Sequence, residues 1–260
     1  MVQETTQEVL DSSQYSISSI QQYEAVYGED FVSPGGYEMA VELIRKMQLE
    51  PGARVLDVGC GLGGSAFVMA REFGFFVDGI DLSNNMLTIA NAKLANAKLA
   101  SNGLSDQVRL EHGDCLELDR PGYYDAIYSR DVFLHIHDKS RLFGVLKKSM
   151  RSGGQLLFTD YCCGDKPWSS DFSDYVEDRG YCLHTLDEYA GLIKAAGFQQ
   201  VKYQDLTDQF IAILRSDLAR ITSLDIPRPD CLKLEKSWQG KLERSLSGDH
   251  CWGLFTAVSD

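Results

Sequence analysis

Between Val55 and Gly64 the chain reads Val-Leu-Asp-Val-Gly-Cys-Gly-Leu-Gly-Gly, an apolar strand that passes through Asp57 into a turn crowded with Gly59, Gly61, Gly63 and Gly64. Glycines at this spacing let the backbone approach a ligand closely, and the N–H groups of a following helix are free to bind it. A second strand, Phe76 to Asp81, ends in an acid placed where a carboxylate meets ribose hydroxyls. Proton chemistry has one leading candidate. His135, in Ser129-Arg-Asp-Val-Phe-Leu-His135, follows the fourth strand at the mouth of the same crevice, and an imidazole there is a natural general base; a helix-start histidine spent on hydrogen bonding is the plain alternative. His137 adds a His-x-His pair, but no further ligand stands at a suitable spacing, so no metal is expected. Tyr15, Tyr23, Tyr161, Tyr175 and Tyr181 fall in the two segments expected over the crevice, with Arg179 among them and Lys241 near the C-terminus. Aromatic faces hold alkylammonium ions and phenols bind phosphate. Tyrosines that merely seal a cap, and cations that merely face water, are the bland readings.

These residues need a scaffold that gathers strand ends. From 51 to 161 short strands alternate with helical patterns: after Phe76–Asp81 come Val108 to Asp114, Asp125 to Ser129, and Gln155 to Tyr161 following an Arg151-Ser-Gly-Gly154 turn. This alternation predicts a parallel sheet with right-handed crossovers. Two helical patterns, Ile17 to Tyr27 and Tyr37 to Met47, precede the first strand and should pack over the strands' carboxyl ends as a lid. Residues 162–184 read as a substrate insert; beyond them come a helix from Leu186 to Ala196, a strand from Gln200 to Leu206, a helical stretch and a strand from Trp252 to Val258. The five-residue duplication Ala90 to Leu99 turns its apolar face by about 140° between copies, which predicts a mostly surface helix.

With 260 residues, the chain suits one α/β domain and is too short for two. Apolar residues make up 44% and charged residues 24%, an ordinary globular balance. No stretch reads as a membrane span and the N-terminus shows no leader. Seven cysteines without a Cys-x-x-Cys point to a reducing cytoplasm. A formal charge of −13 argues against nucleic acid as a partner and obliges any anionic substrate to find a local basic pocket.

Gly59, Gly61 and Gly64 also satisfy the dinucleotide pattern, so the turn alone does not separate a nicotinamide enzyme from an S-adenosylmethionine (SAM) enzyme. The wider succession does. An acid after strand two, Gly113-Asp114 after strand three and a Gly-Gly turn before strand five resemble the class I SAM-dependent methyltransferases. The fold this implies is α/β and Rossmann-like: a doubly wound, mainly parallel seven-stranded sheet, with an N-terminal helical lid and a cap insert after strand five. One methyltransferase domain would span 1–260, divided into a lid (1–50), a SAM-binding core (51–161) and a substrate cap with the final strands (162–260). In such enzymes the protein chiefly holds the reactants at attack geometry. An amine acceptor adds the need to remove a proton, worth roughly 4 kcal/mol at neutral pH for an amine of pKa near 10.4.

Gln14-Tyr15, Tyr23, Val32-Ser-Pro-Gly-Gly36, Tyr128-Ser-Arg-Asp131, Leu134-His135, Thr159-Asp-Tyr-Cys162, Tyr175, Arg179-Gly-Tyr181 and Trp252-Gly-Leu-Phe255 closely resemble the phosphoethanolamine (phosphobase) N-methyltransferases, over nearly the whole chain. The resemblance implies a catalytic dyad of Tyr15 and His135, with His135 taking the ammonium proton. Asp131 and Tyr23 would contact the amine; Tyr161, Tyr175, Arg179, Tyr181 and Lys241 would grip the phosphate, with Gln14 nearby. Gly59 and Gly61 would cradle the methionine part of SAM, Asp81 the ribose and Asp114 the adenine amine, with Ser33, Asp57, Leu82, Cys115, Ser129 and Arg130 completing the cofactor set. The expected partner is a small phosphobase, with no nucleic acid, no membrane and a monomeric chain.

This chain departs from the family twice. Some members carry two methyltransferase domains, whereas one glycine turn is present here, so the chain performs all three methylations or corresponds to one half. Val32 stands where isoleucine is frequent. An enzyme for unphosphorylated amines, for which Arg179 and Lys241 would be dispensable, and a noncatalytic SAM-binding partner are the competing readings.

Overall fold

The computed structural model describes residues 7–99 and 104–260; the polar start Met1 to Thr5 lies outside them. Helices α1 (Gln7–Ser12), α2 (Ile17–Tyr27) and α3 (Gly36–Lys46) come first. Then β1 (Arg54–Val58), α4 (Gly64–Phe73), β2 (Phe76–Asp81), α5 (Asn84–Leu99), α6 (Leu104–Gln107), β3 (Val108–His112) and β4 (Tyr124–Arg130) alternate. The remainder is α7 (Lys139–Ser149), β5 (Met150–Cys163), α8 (Ser170–Arg179), α9 (Leu186–Ala195), β6 (Gln199–Asp205), α10 (Thr207–Ile221), α11 (Arg228–Leu246) and β7 (His250–Val258).

The strands form one seven-stranded sheet in the order β3-β2-β1-β4-β5-β7-β6. The first five run parallel and β7 is antiparallel to both neighbours. Alternate residues of the central strands feed two cores. Val55, Val77, Ala126, Tyr128 and Leu157 face the layer of α3, α4 and α11, while Leu56, Val58, Ile127, Leu156 and Phe158 face α7 and α9. Covered on both faces, β4 is buried at nearly every position, as parallel strands between helical layers are.

Local chemistry sets the boundaries. Ser16 accepts the Ser19 N–H to start α2, and Thr185 and Glu188 form a capping box on α9. Three expectations need correction. The Gly-Gly pair does not precede β5 but makes an irregularity inside it: Gly153 has φ +76°, and a Cβ on Gly154 would come within 2.9 Å of the Arg151 carbonyl. The helical stretch after β6 is two helices packed together, and a further helix, α1, precedes the two expected at the N-terminus. In the duplicated helix, Ala90 and Leu94 of the first copy are buried while Ala95 and Asn96 face outward; the side chains of 97–99 lie outside the described residues. None of the described helices is long and apolar enough to cross a membrane.

Candidate active site

At the carboxyl edge of the sheet lies a cavity of about 440 Å³, floored by the segments that follow β1 to β4. β1 lies between β2 and β4, so the chain turns to opposite sides of the sheet on leaving this pair, opening a crevice there. The N-terminal helices supply Leu10, Tyr23 and Tyr27 to the opposite wall, and the turn between α1 and α2 supplies Gln14 and Tyr15.

One end of the cavity is built from backbone and acids. Gly59 adopts φ +70°, and a Cβ there would sit 2.2 Å from Val132 Cγ2, so only glycine fits. Asp81 accepts the Gly61 N–H at Oδ2 and the Ser83 N–H at Oδ1, both at 2.8 Å. The support continues outward: Ser83 Oγ donates to Asp11, and Asn85 Nδ2 donates to the carbonyls of Asp11 (3.1 Å) and Tyr15 (2.9 Å). Asp114 accepts the Leu116 N–H at 2.8 Å, beside the apolar Leu82, Met86 and Leu116. Burial, reinforced by Asp114, pushes the Cys115 thiol up to about 12, so it stays neutral. Asp57 lies behind this wall with one carboxylate oxygen unpartnered among the described residues; burial, opposed by Arg130, pushes it up to about 7. Ser129 is also behind the wall, bracing β4 to β1 through the Val58 carbonyl at 2.8 Å. Arg130 reaches the cavity but spends its guanidinium on the carbonyls of Pro34 and Gly36, fastening the segment that carries Ser33.

At the other end stand the imidazole and the tyrosines. His135 closes a 3₁₀ turn, Phe133–His135. Its Nε2 lies 3.4 Å from the Tyr15 hydroxyl, which also receives Gln14 Nε2 at 3.2 Å. Tyr181 meets the imidazole edge-on with 5.2 Å between centroids, and Nδ1 is buried with no partner among the described residues. Burial first, then the positive charges of Lys139 and Arg179, lowers His135 to about 4, so the ring is neutral. Burial likewise holds the Tyr15 phenol far above its ordinary range.

Asp131 holds a left-handed backbone (φ +57°). Its N–H donates to the Thr159 carbonyl at 2.8 Å and Trp252 Nε1 donates to its Oδ1 at 2.7 Å. Tyr23 and Tyr27 both pack on Trp238, and Lys241 Nζ lies 4.7 Å over the same indole. Burial, then Arg179, lowers Lys241 to about 8. Arg179 and Arg244 both approach the Tyr175 ring, Arg244 at 4.0 Å. Behind them His250 is fully buried, edge-on to Tyr161 at 4.7 Å, with neither nitrogen partnered among the described residues. Burial, then Lys241 and Arg244, lowers it to about 3.

The structure therefore brings every site residue expected from the sequence to this cavity except Asp57 and Ser129, which back it. Sequence reasoning passed over Tyr27. Tyr27 stands four residues after Tyr23 on one helix, a spacing that puts both on one face and was a readable signal. Trp252 entered only as part of the Trp252-Gly-Leu-Phe255 motif, with no role assigned, because it meets Asp131 through the pairing of distant strands.

Residues 36–203 match the family described as methyltransferase domain. The chain is 43% identical over 258 residues to phosphoethanolamine N-methyltransferase 1 of Arabidopsis thaliana, covering 96% of this chain and 51% of that one. It is 29% identical to phosphoethanolamine N-methyltransferase of Plasmodium falciparum, covering 96% and 95% respectively. Among solved structures, Haemonchus contortus phosphoethanolamine N-methyltransferase 2 in complex with phosphomonomethylethanolamine and S-adenosylhomocysteine superposes with a TM-score of 0.93 at 31% identity, covering 98% of this chain and 60% of that one. The chain thus spans about half the length of the plant relatives it matches. Its mixed seven-stranded sheet and this superposition show the class I SAM-methyltransferase fold. With the family match running over more than half its length, the chain belongs to the methyltransferase domain family.

Proposed function

We propose that the chain is a SAM-dependent N-methyltransferase of phosphoethanolamine and its mono- and dimethyl forms. The observation that carries this reading is the Tyr15 and His135 pair, 3.4 Å apart, set between a glycine-and-acid cradle and a pocket of half-buried Arg179 and buried Lys241 in one cavity.

The cradle suits an adenosyl ligand. A Cβ at Gly59 would strike Val132 and so close the turn, while Asp81 and Asp114 end adjacent strands beside an apolar slot. Gly59, Gly61, Ser33, Asp81, Leu82, Asp114 and Cys115 would line it, with Asp57, Ser129 and Arg130 behind. When bound, SAM supplies an electrophilic methyl group; the chain must present a neutral amine.

His135 is neutral. With Nε2 accepting from Tyr15, the ring's own proton sits on Nδ1, so a proton leaving the ammonium would pass to the Tyr15 oxygen as the Tyr15 hydroxyl proton moves to Nε2, and the phenol ends neutral. A ring lowered to about 4 is a weak base for an ammonium ion. A phosphate dianion at Arg179 would offset one of the positive charges that add to burial in depressing it, and so raise its basicity. Asp131, opened toward the cavity, would hold the ammonium with Tyr23 and Tyr27, and Gln14, Tyr161, Tyr175 and Tyr181 would complete the phosphate end.

Transfer of labelled methyl from SAM to phosphoethanolamine, its mono- and dimethyl forms, ethanolamine and sarcosine, run in parallel, tests the reading. Labelling of phosphorylated acceptors is expected; labelling of unphosphorylated amines alone, or of nothing, would discard it.

A further inference from the structure

Lys139 is almost completely buried, 3% exposed, on the first turn of α7. An ammonium group has three N–H donors and burying it is costly unless each is used. Here they are: Nζ donates to the carbonyl of Phe133 at 2.8 Å, to that of Ile136, and to that of Cys182 at 3.2 Å. Phe133 and Ile136 bracket the turn that presents His135. Cys182 follows Tyr181, whose ring meets His135 edge-on, and the Cys182 N–H donates back to the Leu134 carbonyl at 2.8 Å. A single cation thus binds the two strips of backbone that hold the imidazole and its aromatic neighbour. Burial lowers Lys139, and Asp160 on β5, fully buried, accepting the Tyr189 hydroxyl at 2.6 Å and itself pushed up to about 7 by burial, opposes that fall.

We propose that Lys139 is the positioning residue for His135, clamping the 133–136 turn to the Tyr181–Cys182 segment through its three carbonyl contacts. The inference rests on the reading of His135 as the base. Lys139 acts through the turn and does not touch the substrate. The groups facing His135 are Tyr15 from the N-terminal segment, Tyr181, Arg179 from α8, Lys139 from α7 and His137 on its own segment. Removing Lys139 takes away one of the positive charges among them.

The test compares wild type with Lys139→Met, which keeps the side chain's length without its donors or charge, and Lys139→Arg, which keeps the charge. For each, kcat and KM for phosphoethanolamine, the Kd of SAM, the melting temperature and the NMR titration midpoint of the His135 ring are measured. Expected for Lys139→Met are a fall in kcat of about tenfold or more, the range seen for misplaced catalytic groups, a SAM Kd within about twofold, and a higher His135 midpoint. In Lys139→Arg, kcat should fall while the midpoint stays low. Unchanged kcat and midpoint in either folded variant would overturn the proposal, as would a loss of SAM affinity and melting temperature that tracks the loss of kcat. Should wild type methylate no phosphobase, the functional reading fails on its own, and the ring titration still decides whether Lys139 governs His135.

Discussion

The Trp252 indole N–H and Asp131 Oδ1 meet at 2.7 Å across the sheet, so one carboxylate oxygen is occupied, while Oδ2 has no partner at normal hydrogen-bond geometry among the described residues. The half-satisfied carboxyl is buried, and burial raises it toward the neutral form against the pull of Arg130 and the indole. An ammonium ion reaching Oδ2 would reverse that push.

Trp252→Phe should therefore weaken amine handling without touching the cofactor. A hydrogen bond to a charged group is worth about 1.5–3 kcal/mol, so kcat/KM for phosphoethanolamine should fall about ten- to a hundredfold. Calorimetry should find the SAM Kd unchanged; equal kinetics in the variant would remove the indole from the site.

His135→Ala should lower kcat by about a hundredfold or more, the usual contribution of a general base, and Tyr15→Phe by less, because the imidazole remains. SAM affinity should hold in both. Equal turnover in His135→Ala would exclude His135 as the base.

The two depressed imidazoles give the fold a defined acid sensitivity. Against an ordinary 6.5, His135 and His250 titrate near 4 and 3 in the folded chain, so the unfolded chain binds more protons between those values. Stability is then full above about pH 6.5 and is lost as pH falls toward 4, by about 2 kcal/mol for each ring at pH 5. Buried Asp57, raised to about 7, works in the opposite direction over the same range, so the test is differential: the gap in urea midpoint between wild type and His250→Phe, measured from pH 7.5 to 5, should change with pH by the His250 share.

Lys241 trades stability for binding. Lowered to about 8 by burial and by Arg179, it is charged at neutral pH at a cost to the fold of up to about 3 kcal/mol. Lys241→Met should raise the melting temperature at pH 7 and raise KM for phosphoethanolamine at least tenfold, with ethanolamine little affected. A lower melting temperature would contradict the buried-charge account.

Gly59→Ala should lose SAM binding and destabilise the chain, since its Cβ would overlap Val132 and its backbone would be held at φ +70°. Adding Val132→Ala relieves the clash but leaves the backbone strain, about 1–3 kcal/mol. Partial recovery of the melting temperature in the double variant is the result to look for; full recovery would leave no role for the backbone.

The parts legible in the sequence were those written in local pattern. Strand β2 runs from Phe76 to Asp81 as expected because a short β-rich run ends at a functional acid, and the glycine turn announces its own backbone. Arg179 and Lys241 emerged from the mismatch between an acidic chain and an anionic substrate together with the family resemblance. What stayed hidden depends on distant pairing. Lys139 looks like any solvated lysine at a helix start, and only the folding of Cys182 against Leu134 shows three carbonyls converging on it. Gly153-Gly154 reads as a turn, yet Ser259, just past β7, accepts the Gly153 N–H and donates to the Gly154 carbonyl, both at 2.8 Å, which absorbs the pair into the strand. Ser129 shows the converse: its motif is specific, but its hydroxyl is spent on Val58.

The bonds running from Asp81 through Ser83 and Asn85 to Asp11 and the Tyr15 carbonyl join the cradle to the segment bearing the phenol. Linkage is reciprocal. Whatever factor an occupied cradle adds to the ordering of Tyr15, an ordered Tyr15 returns to the cradle's affinity, so the two substrates of the proposed reaction would each find a tighter site once the other has arrived.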